Sequence, residues 1–310
     1  MPEGNCTALT EFILLGFTDQ PEVEIPLFGL FLLIYSTALV GNVSLMVLVQ
    51  FNACLHTPMY YFLSNLAFLD LSCSSAIAPK MLVNILARHK AISFLGCGMQ
   101  MFLFAASTDV ECLILAAMAY DRYVAICQPL LYSVAMFHRI CTSMVAGAFL
   151  SGGLTSLVHT CLTFSLLFCG SRQINHFFCD IPPLLELSRS NTHLNEVLLI
   201  TLCGCIQIST FLSITVSYTC ILSTIFHIQA AESTYKAFYT CSSLLTAVGL
   251  FYGSLLFTYL KPSSNHSSLD TDKVVSAFST LVFPMLNPLI YSLRNKDVKD
   301  ALRRTVERRV

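Results

Sequence analysis

Ile25–Leu69 reads IPLFGLFLLIYSTALVGNVSLMVLVQFNACLHTPMYYFLSNLAFL, with no Lys, Arg, Asp or Glu between Glu24 and Asp70. A helix needs about 20 apolar residues to cross a hydrocarbon core about 30 Å thick. This stretch therefore holds one full span, a turn at His56-Thr57-Pro58 and the start of a second. The same emptiness recurs from Lys90 to Asp109, Arg139 to Arg172, Glu196 to Glu232, Lys236 to Lys261 and Lys273 to Arg294. Spans are expected near 26–49, 58–79, 98–120, 140–159, 197–219, 237–259 and 272–292. The runs are continuous, whereas barrel strands would alternate with period two. The expected fold class is an all-α membrane protein, a seven-transmembrane helix bundle forming one domain over 1–310. A chain 55% hydrophobic and 11% charged fits no ordinary soluble domain. A net charge of −1 argues against a nucleic-acid partner.

Seven spans put the termini on opposite sides. Arg294, Lys296, Lys299, Arg303, Arg304, Arg308 and Arg309 crowd the tail 293–310, and residues 1–25 carry no Lys or Arg. A cytoplasmic C-terminus and an extracellular polar tail over 1–25 follow. Short loops oppose this: Lys80, Arg88 and Lys90 would lie outside. The sequon Asn5-Cys6-Thr7 supports the termini and makes Asn5 the expected glycosylation site. Asn42-Val43-Ser44 falls inside a span, and Asn265-His266-Ser267 falls close to the membrane. The first 25 residues lack the basic start of a removable signal, so the first span is expected to insert itself. Most of the 14 cysteines lie in spans, where Cys is a small hydrophobe. Cys6, Cys97, Cys169 and Cys179 reach the oxidising side. Composition leaves Cys97 and Cys179 as either a bridge or two free thiols, and a Cys97–Cys179 bridge is the expectation.

Four motifs stand in order on these spans: Leu55-His56-Thr57-Pro58-Met59-Tyr60, Met118 to Cys127 around Asp121-Arg122-Tyr123, Lys236 to Cys241, and Pro284 to Tyr291 around Asn287-Pro288. In these motifs the chain resembles an odorant receptor of the rhodopsin-like G-protein-coupled class, and the likeness runs from Thr10 to Asn295. The resemblance implies a small volatile ligand held within the bundle, a heterotrimeric stimulatory G protein raising cyclic AMP, and a plasma-membrane location among lipid. It implies no enzyme, cofactor or metal. Asp121, Arg122 and Tyr123 would form the coupling latch, with Lys236, Asn287, Pro288 and Tyr291 as further switch positions. A solvated boundary ion pair and a plain proline kink are the structural counterparts of those roles.

Acids inside spans are costly and face the bundle interior. In relatives, positions matching Asn42, Asp70, Glu111 and Asn287 converge on a cavity that holds Na⁺ or a proton. Neutral carboxyls bonded to each other would serve packing instead. On the third span Met101, Phe104, Ala105, Thr108, Asp109 and Cys112 share one helical face. The resemblance brings this face against Ile206, Gln207 and Thr210, against Tyr252, Leu255, Leu256 and Tyr259, and against Ser276 and Thr280. Phe104 stands where aminergic relatives carry an Asp. Asp109, roughly 18 Å below Cys97 at 1.5 Å per residue, is either neutral and hydrogen-bonding to ligand, ionised against an amine, or bonded to a neighbouring helix.

His176-Phe177-Phe178-Cys179-Asp180 makes a poor soft-metal set if Cys179 is bridged. His159 and His227 read as interfacial residues near span ends. The chain departs from the family at Arg189, where relatives have a cysteine partner for Cys169, and at Leu244 and Leu131, where His is common. A cation-coupled transporter using Asp70 and Glu111 is the competing class, though no inverted repeat supports it.

Overall fold

The structure is a computed structural model that describes residues 10–18, 20–168, 171–227, 241–242, 245–254, 268–294 and 296–307. Its long helices are α1 (Pro21–Phe51), α2 (Pro58–Leu86), α3 (Phe94–Cys127) and α4 (His138–Phe164). α5 runs from His193–Leu198 through a π-helical turn at Leu199–Cys203 into Gly204–His227. Of the sixth expected span, Leu245–Ser254 is described as α6. α7 runs from Ser268–Ala277 through a second π-helical turn, Phe278–Val282, into Phe283–Arg294, and α8 covers Lys296–Glu307. Among the described residues six helices are long and apolar enough to cross a membrane.

The helices outrun the expected spans at most ends, α2 by seven residues at its C-terminus, from 79 to Leu86. Hydropathy counts what lies in hydrocarbon, whereas the backbone ladder continues into the interface, where its ends can reach water. Local chemistry sets the starts. Pro21 and Pro58 occupy first turns, where the missing N–H is no loss. Ser93 Oγ accepts from Gly96 N at 3.1 Å and so caps α3. Glu22 and Glu24 sit at the positive end of α1.

α3 is the central post, packed against α2, α4 and α5. The α3–α4 contact is close because Gly152 has no side chain: a Cβ there would meet Val110 Cγ2 at 2.7 Å and Ala106 O at 3.3 Å. At one end of the bundle lies a three-stranded sheet in the order β2-β1-β3, with β1 Glu11–Leu14, β2 Ala91–Ser93 and β3 Gln173–Ile174. β1 pairs antiparallel with β2, Phe12 opposite Ile92, and parallel with β3, Ile13 opposite Gln173. The tail expected to hang free over 1–25 is thus tied down from Glu11. Its alternation is the cause: Phe12 and Leu14 are buried against Phe168, Ile174 and the α3 start, while Glu11 and Ile13 lie on the other face. The tail 293–310 also contains structure, since Val298 and Ala301 of α8 are buried.

Candidate functional site

At the end of α3 remote from the sheet, Asp121 is fully buried and receives Arg122 through both Nε, at 2.9 Å, and a terminal nitrogen on the same oxygen. Tyr132, on the short helix Tyr132–Ala135 that follows α3, donates from Oη to the other Asp121 oxygen at 2.9 Å. Burial and the adjacent Asp121 charge push the Tyr132 phenol up, so it stays a donor. A solvated boundary pair would not have a carboxylate shut away from water with partners on both oxygens. Tyr123 Oη accepts from Gln128 Nε2 at 3.1 Å.

Midway along the bundle, Asn287 Nδ2 donates to Asp70 Oδ2 at 2.9 Å, and Glu111 lies within electrostatic reach of Asp70. Pro288 has no N–H, which leaves the Pro284 carbonyl without its helical donor. Asn42 supplies one: its Nδ2 reaches Pro284 O at 2.8 Å and Ala38 O at 2.9 Å. Asn42 Oδ1 and Asn287 Oδ1 remain buried with no hydrogen-bond partner among the described residues. The expected group of Asn42, Asp70, Glu111 and Asn287 is therefore brought together across α1, α2, α3 and α7. This neighbourhood also explains why the Asn42 sequon is irrelevant, since its side chain is enclosed.

Towards the sheet, a Cys97–Cys179 disulfide with a Cα separation of 5.4 Å pins the loop between α4 and α5 to α3. Gln100 holds that loop from below, accepting from Cys179 N at 2.9 Å and donating to Ala76 O at 2.9 Å. Phe178 meets Phe104 edge-on at 5.0 Å. Met101 is wholly buried under this cover with Phe168 and Cys179. Thr108 returns its hydroxyl to Phe104 O. Cys112 is buried in the inner core, and Ala105 is half-buried. Thr210 Oγ1 and Tyr252 Oη are 2.7 Å apart, tying α5 to α6, and Thr210 also bonds the carbonyls of Ile206 and Gln207. Thr280 bonds Ser276 O at 2.7 Å. Ser276 lines a cavity of about 400 Å³ at the sheet end of the bundle with His176, Asp180, Glu186 and Asp272. Leu255, Leu256, Tyr259, Lys236, Asn5, Cys169 and Leu244 lie outside the described residues, as does the side chain of Tyr291.

The family model described as olfactory receptor matches residues 31–309. The chain belongs to the olfactory receptor family. Human olfactory receptor 5AR1 is 52% identical over 306 residues, covering 99% of this chain and 98% of that one. Human olfactory receptor 5W2 is 52% identical over 300 residues, covering 97% and 96%. The crystal structure of squid rhodopsin superposes with a TM-score of 0.74 at 19% identity, over 93% of this chain and 82% of that one. The receptor is thus a rhodopsin-like seven-helix bundle, a multi-pass membrane protein and not an enzyme. Family membership decides against the transporter class.

Several side chains of the receptor were not legible as site residues. His159 does not sit at an interface: it is 3% exposed, with Nε2 3.5 Å from Cys203 Sγ, and Cys203 also donates to Asp109 Oδ2 at 3.9 Å. The expected pocket face of α3 thus turns Asp109 towards α4 and α5. No periodic signal marks Cys203, because the π-helical turn at 199–203 shifts the helical phase. In the loop between α4 and α5, burial and then Lys273 pull His176 down to about 3, and His176 Nδ1 accepts from Phe178 N at 3.4 Å. Burial raises Asp180 to about 6, against a bond from Ile181 N. With Cys179 bridged, the His176–Asp180 stretch holds loop structure. Among the described residues no group of three His, Cys, Asp or Glu is placed to bind a metal.

Proposed function

We propose that the receptor binds small volatile organic molecules within its helix bundle and then activates a heterotrimeric stimulatory G protein, raising cyclic AMP. The observation that carries the reading is the enclosed Asp121–Arg122–Tyr132 group, at the end of α3 opposite the disulfide. A buried, twice-partnered carboxylate holds its arginine in one position until the surrounding helices move. Ligand need only bind better to the arrangement in which α6 has swung away, breaking Tyr252 from Thr210, for Arg122 to be released. Lys236, Tyr123 and Tyr291 belong to the same cytoplasmic switch in this reading.

The N-terminus lies outside, with Asn5 glycosylated, and the C-terminus faces the cytoplasm of a plasma membrane. Ligand contacts come from the α3 face between Phe104 and Cys112 together with α5, α6 and α7. Such a lining is mostly apolar with a few polar groups, which suits a small organic molecule. The Asn42, Asp70, Glu111 and Asn287 group binds Na⁺ or a proton and favours the resting arrangement. Two buried amide oxygens there, without partners among the described residues, support a guest that accepts oxygen ligands.

The test is a cyclic AMP reporter cell expressing the whole chain and challenged with a chemically diverse volatile panel. Some compounds should evoke cyclic AMP, and Arg122→Ala should abolish that response at equal surface expression. Full signalling from a well-expressed Arg122→Ala receptor overturns the latch. Silence towards the whole panel overturns the coupling.

A further inference from the structure

Asp109, His159 and Cys203 come from three helices, yet they meet at one level of the bundle. Cys203 Sγ bridges Asp109 Oδ2 and His159 Nε2. Asp109 and His159 are buried and Cys203 is half-buried. The meeting depends on the π-helical turn Leu199–Cys203, and such single-turn bulges recur at functional sites. α4 packs against both the His193–Leu198 and the Leu199–Cys203 turns of α5, and beyond His159 and Cys203 along this seam come Thr160 and Thr163 on α4 and Asn195 on α5. Thr163 is four residues past His159, about 6 Å further along the helix. Thr160 Oγ1, Thr163 Oγ1 and Asn195 Nδ2 are all buried with no hydrogen-bond partner among the described residues. Thr163 and Asn195 are 1% and 6% exposed. A polar wall with spare donors and acceptors thus continues from the outer end of the α4–α5 seam down to Asp109. Buried polar atoms are seldom left unpaired without a guest.

Resting on the odorant-receptor reading above, we infer that this α3–α4–α5 wall is the hydrogen-bonding half of the ligand site and selects small neutral molecules bearing a hydroxyl on an apolar frame. The inventory decides the class. Asp109 offers carboxyl oxygens, and the hydrogen bond reaching it among the described residues is a long one from a thiol. Asn195 offers a spare N–H, and the threonines offer hydroxyls that both give and take. A ligand carboxylate would set a second acid beside Asp109, and two carboxylates in contact cannot both stay ionised. Ethers and ketones accept only: they can meet the Asn195 N–H or a protonated Asp109, but they offer no donor to the acceptor oxygens of the wall. An ammonium donates only, and would leave the Asn195 N–H unmet. A hydroxyl does both, finds a partner at each step down the seam, and can end donating to Asp109 while accepting from Cys203 or His159. The apolar remainder lies towards Ala105 and Phe104, along the same face of α3.

The test uses the full-length receptor in reporter cells, with alcohol, methyl ether, primary amine, carboxylic acid and hydrocarbon versions of one series of apolar skeletons. The alcohols should lead their methyl ethers by about tenfold in potency, the equivalent of one well-made hydrogen bond. Asp109→Ala, His159→Phe and Cys203→Ala should each bring the alcohols down to ether level and leave the ethers unmoved, while Cys203→Ser keeps the alcohol preference. Thr163→Val combined with Asn195→Leu should weaken the alcohols selectively as well. Equal potency of alcohols and ethers overturns the inference. So do amines that lead and are lost in Asp109→Asn, or variants that depress every compound alike at equal surface level, which is the mark of a packing role. Responses confined to compounds without a hydroxyl sink the hydroxyl class and leave the receptor reading intact. Silence towards every compound, with no Arg122-dependent basal cyclic AMP, sinks both.

Discussion

Asn42→Leu removes the donor that compensates for Pro288. The replacement has nearly the same volume, so packing changes little, but Pro284 O loses its 2.8 Å bond and is left facing an apolar side chain. Side-chain hydrogen bonds inside membranes average about 0.6 kcal/mol and reach about 1.7. Stranding a buried acceptor raises the loss towards about 1–3 kcal/mol. At about 2–4 °C per kcal/mol for a chain of this order, the thermal midpoint of the detergent-solubilised receptor should fall by about 5 °C. Part of that fall belongs to the second bond, to Ala38 O, so one variant does not isolate the proline. Pro288→Ala does, because an alanine N–H can again serve Pro284 O from within α7. The assay is a double-mutant cycle read by fluorescence-detected thermal unfolding. In the Pro288→Ala background, Asn42→Leu should cost about 1 kcal/mol less than in the wild type. Equal costs in both backgrounds would refute the idea that Asn42 exists to satisfy the carbonyl freed by Pro288.

Gly152→Val should destabilise more than Gly152→Ala, and both by about 1–3 kcal/mol, because even a Cβ collides with Val110 and approaches the Ala106 carbonyl; Val110→Ala should relieve Gly152→Ala in the same thermal assay. Loss of the Cys97–Cys179 bridge, which closes 82 residues of chain, should cost about 4–5 kcal/mol, and mass spectrometry of non-reduced peptides from functional receptor should find the pair linked. In the loop between α4 and α5 the two titrating groups act with opposite sign. His176 is lowered from 6.5 to about 3, so its stabilising effect is present above 6.5 and is lost as the pH falls towards 3. Asp180 is raised from 3.8 to about 6, so its effect is present below 3.8 and is lost as the pH rises through 6. Hydrogen exchange over residues 171–187 should therefore show protection falling between pH 6.5 and 4 in Asp180→Asn and rising over the same window in His176→Phe. The reverse pair of slopes would contradict the burial of both groups.

Wherever the fold depends on counting apolar residues, the chain alone determined it. Charge-free runs of membrane length cannot be hidden by any arrangement of neighbours, since each backbone must satisfy its hydrogen bonds within its own helix. The motif residues Asp121, Arg122, Asn287 and Pro288 were legible for a related reason: a charge pair at a span end and a proline in its middle are local departures from a uniform background. Proline chemistry by itself implies that the carbonyl one turn before Pro288 lacks its helical donor. Only packing decided that the donor is Asn42, more than two hundred residues away on α1. The strand at Glu11–Leu14 escaped notice because a four-residue alternation is too short to stand out until Ile92 and Gln173 are beside it. His159 and Cys203 show the same limit more sharply. Each reads as an ordinary residue in an apolar helix, and a single π-helical turn, invisible in composition, brings Cys203 against both His159 and Asp109. Periodicity reports what one helix would present to a uniform surrounding, whereas a site is made by which neighbours arrive and at what phase, and that is a property of the tertiary structure.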